Sequence, residues 1–97
     1  MVEEILDFIS RRWKDYCNWL EGNCLWFAYI LKKRFPQLDI YYLPIEGHFV
    51  CGLPHDNKTI FFDWRGAIIV EEEPLNFEQL KEEDPIFYER LIRDCFL

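Results

Sequence analysis

Residues 40–64 read IYYLPIEGHFVCGLPHDNKTIFFDW, and this stretch decides the fold class. It contains three runs rich in aromatic and β-branched residues, which are typical of β-strands. Short segments rich in turn-forming residues separate these runs. A further apolar run follows the bend at Arg65 and Gly66. The pattern therefore predicts four antiparallel strands, over 40–43, 48–53, 59–64 and 67–70.

Two helices are predicted before these strands. Apolar side chains recur every three or four positions over residues 2–20, which indicates a helix with one buried face. A second helix is expected to begin at Cys24, with Asn23 as its N-cap. Residues 24–31 contain scarcely a polar position, so this helix should be covered on nearly every side and Trp26 should belong to the core.

Two short helices are predicted after the strands. Asn76 and Asp84 have side chains that can cap helices over 76–83 and 85–96, and Pro85 suits the first position of the second helix. The order of elements indicates an α+β fold. In this fold the N-terminal helices pack on a four-stranded antiparallel sheet, and two short C-terminal helices follow.

Composition limits the classes of function. The chain has 97 residues, of which 51% are hydrophobic, so residues 1–97 should form a single domain with one core. The net charge of −7 repels phosphate backbones, and nucleic-acid binding is not expected. The start of the chain is acidic, unlike a signal peptide, and no apolar run is long enough for a membrane span. We therefore expect a cytoplasmic protein that binds neither membrane nor nucleic acid.

Cysteine is the first residue type that points to chemistry. The four cysteines, at positions 17, 24, 51 and 95, include no Cys-x-x-Cys pair, so free thiols are expected. Three of them should pack as small hydrophobic residues. Cys24 differs because the unpaired amides and the dipole at a helix start favour the thiolate. Cys24 is the candidate nucleophile, and a buried structural cysteine is the alternative.

His48 and Asp63 are the candidate partners of that thiol. If the turn between their strands centres on His55 and Asp56, the two residues face each other directly. Any register in which the numbers of paired residues add to an odd sum still leaves them on one face, whereas an even sum would part them. A carboxylate orients an imidazole, and an imidazole can accept a thiol proton. The alternatives are a half-buried strand histidine and an aspartate that only opens a turn.

The chain order of these three residues resembles the papain-like cysteine peptidase superfamily. The similarity lies in NCLWFA at 23–28, GHFV at 47–50 and FDWRG at 62–66. It extends to small bacterial and phage proteins related to the NlpC-type and transglutaminase-like folds. The resemblance implies a papain-like fold and a triad of Cys24 as nucleophile, His48 as general base and acid, and Asp63 as orienting carboxylate.

The same resemblance implies a reaction class. It is hydrolysis or acyl transfer at an amide or thioester bond, with a protein or peptide as substrate and without a cofactor. Papain-like enzymes often place an amide side chain shortly before the nucleophile to hold the oxyanion, and Asn18 is the candidate for that role. The alternative for Asn18 is a surface or helix-capping residue.

A metal site is a second chemical interpretation. His48, Cys51 and His55 offer ligands close together in the sequence, and Cys17 or Cys24 could complete the set. However, residues three apart on a strand point to opposite faces, as His48 and Cys51 would. No metal is therefore expected.

A non-enzymatic protein is the alternative function. It would be an acidic inhibitor or modulator encoded by a phage or mobile element, with a vestigial triad on a papain-like scaffold. The acidic runs at 71–73 and 82–84 would contact a basic surface on a partner protein. These runs could equally serve only to keep the domain soluble.

Overall fold

The computed structural model describes residues 1–12 and 24–96, with side chains as far as Asp94. The elements in these ranges are α1 (Val2–Arg12), α2 (Cys24–Arg34), β1 (Asp39–Leu43), β2 (His48–His55), β3 (Lys58–Asp63), β4 (Gly66–Ile68), β5 (Leu75–Asn76), α3 (Phe77–Glu83) and α4 (Pro85–Phe96). The strands form one antiparallel sheet in the order β4-β3-β2-β1-β5. The predicted α+β class is confirmed.

The sheet has five strands rather than the four predicted. The additional strand, β5, consists of Leu75 and Asn76, which pair with Tyr42 and Tyr41 of β1. Two residues are too few to show the alternation that identifies a strand in sequence. Asn76 also caps α3, since its Oδ1 accepts hydrogen bonds of 3.1 Å from two backbone N–H groups of the first turn. The chain thus passes from the sheet edge into α3 without a linker.

The turn between β2 and β3 is shorter than predicted. It consists of Asp56 and Asn57, whose φ angles of 49° and 64° match the type I′ turn that suits a two-residue hairpin. Pro54 and His55, which were expected in the turn, extend β2 instead. His55 therefore pairs with Lys58, and the whole register differs by two residues from one centred on His55 and Asp56.

Helix α2 lies on the sheet face that carries Phe49, Cys51 and Phe62. The Cys51 thiol donates a hydrogen bond of 3.3 Å to the carbonyl oxygen of Ala28 in α2. The prediction that Trp26 belongs to the core is wrong, because its side chain is 48% exposed. A helix on a sheet turns one side outward, and in α2 that side carries the apolar residues Trp26 and Ile30 before the basic C-terminal end.

The predictions for the other helices have mixed outcomes. Helix α1 buries Ile5 and Ile9, as the apolar spacing indicates. The predicted continuation of this helix over 13–20, and the cap at Asn23, lie outside the described residues. Both C-terminal helices are confirmed, and Asp84 accepts a hydrogen bond of 3.2 Å from the N–H of Phe87 at the start of α4. Within the described ranges, no helix combines the length and apolarity needed to cross a membrane.

Gly52 provides a test of the packing at the centre of the sheet. A Cβ atom at this position would lie 2.6 Å from Cε2 of Tyr41 and 2.8 Å from Cγ2 of Thr59. We expect Gly52→Ala to lower the free energy of unfolding by about 1–3 kcal/mol, measured by urea denaturation, because the neighbouring side chains must shift. Thr59→Ser removes one of the two clashes, so the double variant should lose less stability than the two single changes added together. Equal stability of Gly52→Ala and the wild type would contradict the close approach.

Candidate active site

Cys24 is the first residue of α2, as predicted, and its side chain is buried. Burial raises the pKa of the thiol, but contact with His48 and a hydrogen bond from the backbone N–H of Phe49 outweigh burial. The N–H of Cys24 itself adds to this stabilisation of the thiolate. The pKa of Cys24 therefore lies below the ordinary value of a cysteine, which is the condition for a nucleophile at neutral pH.

His48 and Asp63 lie side by side at one end of the sheet. His48 Nε2 is 3.2 Å from Oδ2 of Asp63, and both side chains are buried. The observed register, when extended, sets Asp63 opposite Val50. The prediction of direct opposition is thus wrong, because the turn is centred on Asp56 and Asn57, one residue later than assumed. The two side chains instead meet diagonally on a shared face of the sheet, as a shift of two residues allows.

The thiol and the imidazole shift each other's pKa in opposite directions. Burial lowers the pKa of His48, but Asp63 and Cys24 outweigh it and raise the pKa to about 9. The Nε2 atom of His48 is directed to Asp63. The other ring nitrogen, Nδ1, is buried and has no hydrogen-bond partner among the described residues. The arrangement favours a thiolate beside an imidazolium, in which Nδ1 carries the proton taken from sulfur.

Arg65 is a site residue that the sequence prediction missed. Its backbone N–H donates to Oδ1 of Asp63 at 2.8 Å, and its Nε donates to Oδ2 at 3.0 Å. Burial raises the pKa of Asp63, but hydrogen bonds from His48 and Arg65 outweigh burial and hold that pKa below its usual range. The signal was present in the sequence, since an aspartate often accepts the N–H two residues ahead in an Asx turn.

Trp64 connects the ion pair to the imidazole. Its ring meets the His48 ring edge to face, with centroids 5.7 Å apart. The Arg65 guanidinium lies over the Trp64 ring, 4.6 Å from its centroid. The edge-to-face contact restricts the orientation of the imidazole ring.

The predictions for the other cysteines and for Asn18 have different outcomes. Cys51 is completely buried, and burial raises the pKa of its thiol to about 12, so it packs as a small hydrophobic residue as predicted. Cys17, Asn18 and the side chain of Cys95 lie outside the described residues. The expectation that Asn18 holds an oxyanion therefore stays a prediction.

Among the described residues, His48, Cys51 and His55 do not come together as metal ligands. His48 and Cys51 are on opposite faces of β2, and His55 is 52% exposed at the hairpin, where its Nε2 lies 3.4 Å from Asp56. In the part of the chain that the structure describes, no three His, Cys, Asp or Glu side chains form a group that could hold a metal ion.

Comparison with known proteins places the chain in a family. The sequence model described as Phage YunG-like protein matches residues 2–94. The chain belongs to the Phage YunG-like family. No curated protein and no solved structure matches it. The matched range of this Phage YunG-like protein includes the thiol, the imidazole and the ion pair described above, and the family agrees with the bacterial or phage class expected from the sequence.

The pKa of His48 can be measured directly by NMR titration of its ring nitrogens. We expect a value near 9 in the wild type. Asp63→Asn and Cys24→Ala should each lower it toward the ordinary value of 6.5, because each removes a negative charge that stabilises the imidazolium. Asp56→Asn, a change at the exposed hairpin turn, is the matched control and should leave the pKa of His48 unchanged. A value of 6.5 or lower in the wild type would contradict the proposed pair.

Arg65→Gln tests the ion pair at Asp63. The lowered pKa of Asp63 stabilises the fold fully above the carboxyl's ordinary pKa of 3.8, and this stabilisation is lost as the pH falls through the lower pKa of the folded state. Without the guanidinium, acid unfolding should begin at a higher pH, and the free energy of unfolding at pH 7 should fall by about 1 kcal/mol because the Arg65 side chain is half exposed. Arg90→Gln, at an exposed position of α4, serves as control, and identical acid unfolding of both variants would count against the role of Arg65.

Proposed function

We propose that this Phage YunG-like protein is a papain-like cysteine hydrolase or acyltransferase that attacks an amide or thioester bond in a protein or peptide. The observation that carries the proposal is the position of His48 between a carboxylate and a thiol. Its Nε2 lies 3.2 Å from Asp63, and its pKa and that of Cys24 are shifted in opposite directions. A histidine in such surroundings can accept a proton from sulfur and return it to a leaving group.

The first half of the reaction forms an acyl-enzyme. The Cys24 thiolate attacks the carbonyl carbon, and the carbonyl π electrons move to oxygen, which becomes an oxyanion. The backbone N–H of Cys24 is a donor for that oxyanion, and Asn18 is the expected second donor. As the intermediate collapses, the bond to the amine or thiol breaks, and the His48 imidazolium gives its proton to the leaving group. The acyl group remains on Cys24 as a thioester.

The second half releases the acyl group. Neutral His48 takes a proton from water or from an acceptor amine, which attacks the thioester carbon. The new tetrahedral intermediate expels the Cys24 thiolate and regenerates the thiolate–imidazolium pair. Water as the acceptor makes the protein a hydrolase, and an amine makes it an acyltransferase. Through both halves Asp63 keeps the ring oriented and Arg65 keeps Asp63 ionised.

The low exposure of the thiol supports a second candidate function. Cys24 is only 3% exposed, so a substrate reaches the sulfur only if the covering side chains move. A buried thiol also fits a vestigial triad in an acidic protein that acts by binding a basic partner. The exposed residues of the two acidic runs are Glu71, Glu73 and residues 82–84. Glu72 instead holds the β1–β2 loop, since its carboxylate accepts hydrogen bonds of 2.7 and 3.1 Å from the N–H groups of Ile45 and Glu46.

Thiol reactivity separates the two candidates. The experiment is alkylation by iodoacetamide over pH 5–9, with each cysteine followed by peptide mass spectrometry in the folded wild type, in His48→Gln and in His55→Gln as control. For an enzyme we expect Cys24 to react at least about tenfold faster than Cys51 at pH 6.5, because Cys24 is held as a thiolate and burial keeps Cys51 protonated. The advantage should disappear in His48→Gln and persist in His55→Gln.

An acyl donor then tests turnover. An aryl thioester should give a protein mass increased by one acyl group in the wild type and no increase in Cys24→Ala. If Cys24 is no more reactive than Cys51 in the wild type, the triad is vestigial and the binding function is favoured. If Cys24 is fast but never acylated, the pair exists and the proposed reaction class is wrong.

A further inference from the structure

A large groove lies on the same sheet face as α2, at the opposite end of that helix from Cys24. It has a volume of about 820 Å³ and opens between the C-terminal end of α2 and α3. Five of its ten lining residues are apolar or aromatic, namely Tyr29, Pro36, Ile40, Phe77 and Tyr88, and the other five are charged. The volume is within the range of small-molecule sites, which are predominantly apolar with a few polar groups.

The charges at this groove differ from those of the chain as a whole. Lys32, Lys33 and Lys81 line it, which is three of the five lysines in a chain with a net charge of −7. Lys32 is held in place, because its Nζ donates to the carbonyl oxygen of Leu38 at 2.6 Å. Lys33 and Lys81 form no ion pair with any residue of the described ranges. The Lys81 ammonium lies 5.9 Å from the centroid of the Tyr88 ring, and both it and the Lys33 ammonium can form an ion pair with a ligand.

Carboxylates limit the charge that the groove accepts. Glu78 and Glu82 of α3 also line it, and Asp39 lies 3.8 Å from Lys32 Nζ, so three carboxylates balance the three lysines. A single carboxylate of a ligand can pair with Lys33 and Lys81, whereas a polyanion would be repelled by the glutamates and by the net charge of the protein. An amphiphilic cation would place its charge beside lysines.

We propose that this groove binds a monoanion with an apolar body, that is, an acyl or aryl carboxylate. The apolar body packs against Tyr29, Pro36 and Tyr88, and the carboxylate is held by Lys33 and Lys81. Burial of the body supplies most of the affinity, and the lysines select the sign of the charge. This proposal does not depend on the chemistry of Cys24, which belongs to the other end of α2.

Dodecanoate and dodecylamine are matched probes for this site, because they share a chain length and differ in the sign of their charge. Binding is measured by isothermal titration calorimetry, and the site is located by amide chemical shifts in NMR spectra. We expect dodecanoate to bind with shifts concentrated in residues 29–40 and 77–88, and dodecylamine to bind at least about fivefold more weakly. Cys24→Ala should bind dodecanoate as the wild type does.

Charge variants test the assignment in both directions. Lys33→Gln and Lys81→Gln should each weaken dodecanoate binding by about two- to fivefold, whereas Glu82→Gln should strengthen it by a similar factor. Lys58→Gln, in the β2–β3 hairpin away from the groove, is the matched control and should have no effect. The proposal is overturned if dodecanoate does not bind, if its shifts map elsewhere, if the amine binds equally well, or if the variants act no differently from the control.

Discussion

The complete burial of the Asp63 carboxylate is the constraint on which the site depends. A buried charge costs several kcal/mol unless hydrogen bonds and opposite charges compensate it. Here the compensation comes from His48 on the neighbouring strand and from Arg65 in the turn that follows. A slip in the β2–β3 register would leave the carboxylate without its imidazole, so the two-residue turn at Asp56 and Asn57 also positions the site.

The candidate nucleophile is held by a different part of the structure. Cys24 begins α2, and α2 is anchored to β2 by apolar packing and by the Cys51 thiol. The same strand that carries His48 therefore also carries the residues that position the helix. Strand β2 links the thiol to the imidazole, and the hairpin links the imidazole to the carboxylate. The relative positions of all three groups rest on the packing of one strand.

Much of this arrangement could be predicted from the sequence. Aromatic and β-branched runs, capping residues at Asn76 and Asp84, and the residue types at 24, 48 and 63 are local signals, and each is found where expected. The features that the sequence does not show are those that depend on tertiary packing. Strand β5 exists only because β1 offers it an edge, and Trp26 is exposed because the sheet covers only one side of α2.

The prediction missed Arg65 at the site for the same reason, because its role depends on tertiary structure. The turn residue Arg65 becomes part of the site because the Asx turn at Asp63 directs its guanidinium back to the carboxylate. A pattern of residue types shows which side chains are able to react. It does not show which residue will stabilise the charge of a buried carboxylate such as Asp63. That residue can lie in a turn, as Arg65 does, as readily as in a strand.

The order of the strands also bears on self-association. The two borders of the sheet are β4 and β5, the shortest strands, with three residues and two. The longer strands β1, β2 and β3 lie inside; β2 has a neighbour on both sides, β3 is covered by β4 from Phe61 to Asp63, and β1 is covered by β5 at Tyr41 and Tyr42. The short border strands thus shield the most apolar part of β3 and the middle of β1, and the backbone left for edge-to-edge aggregation is limited to short stretches such as residues 58–60.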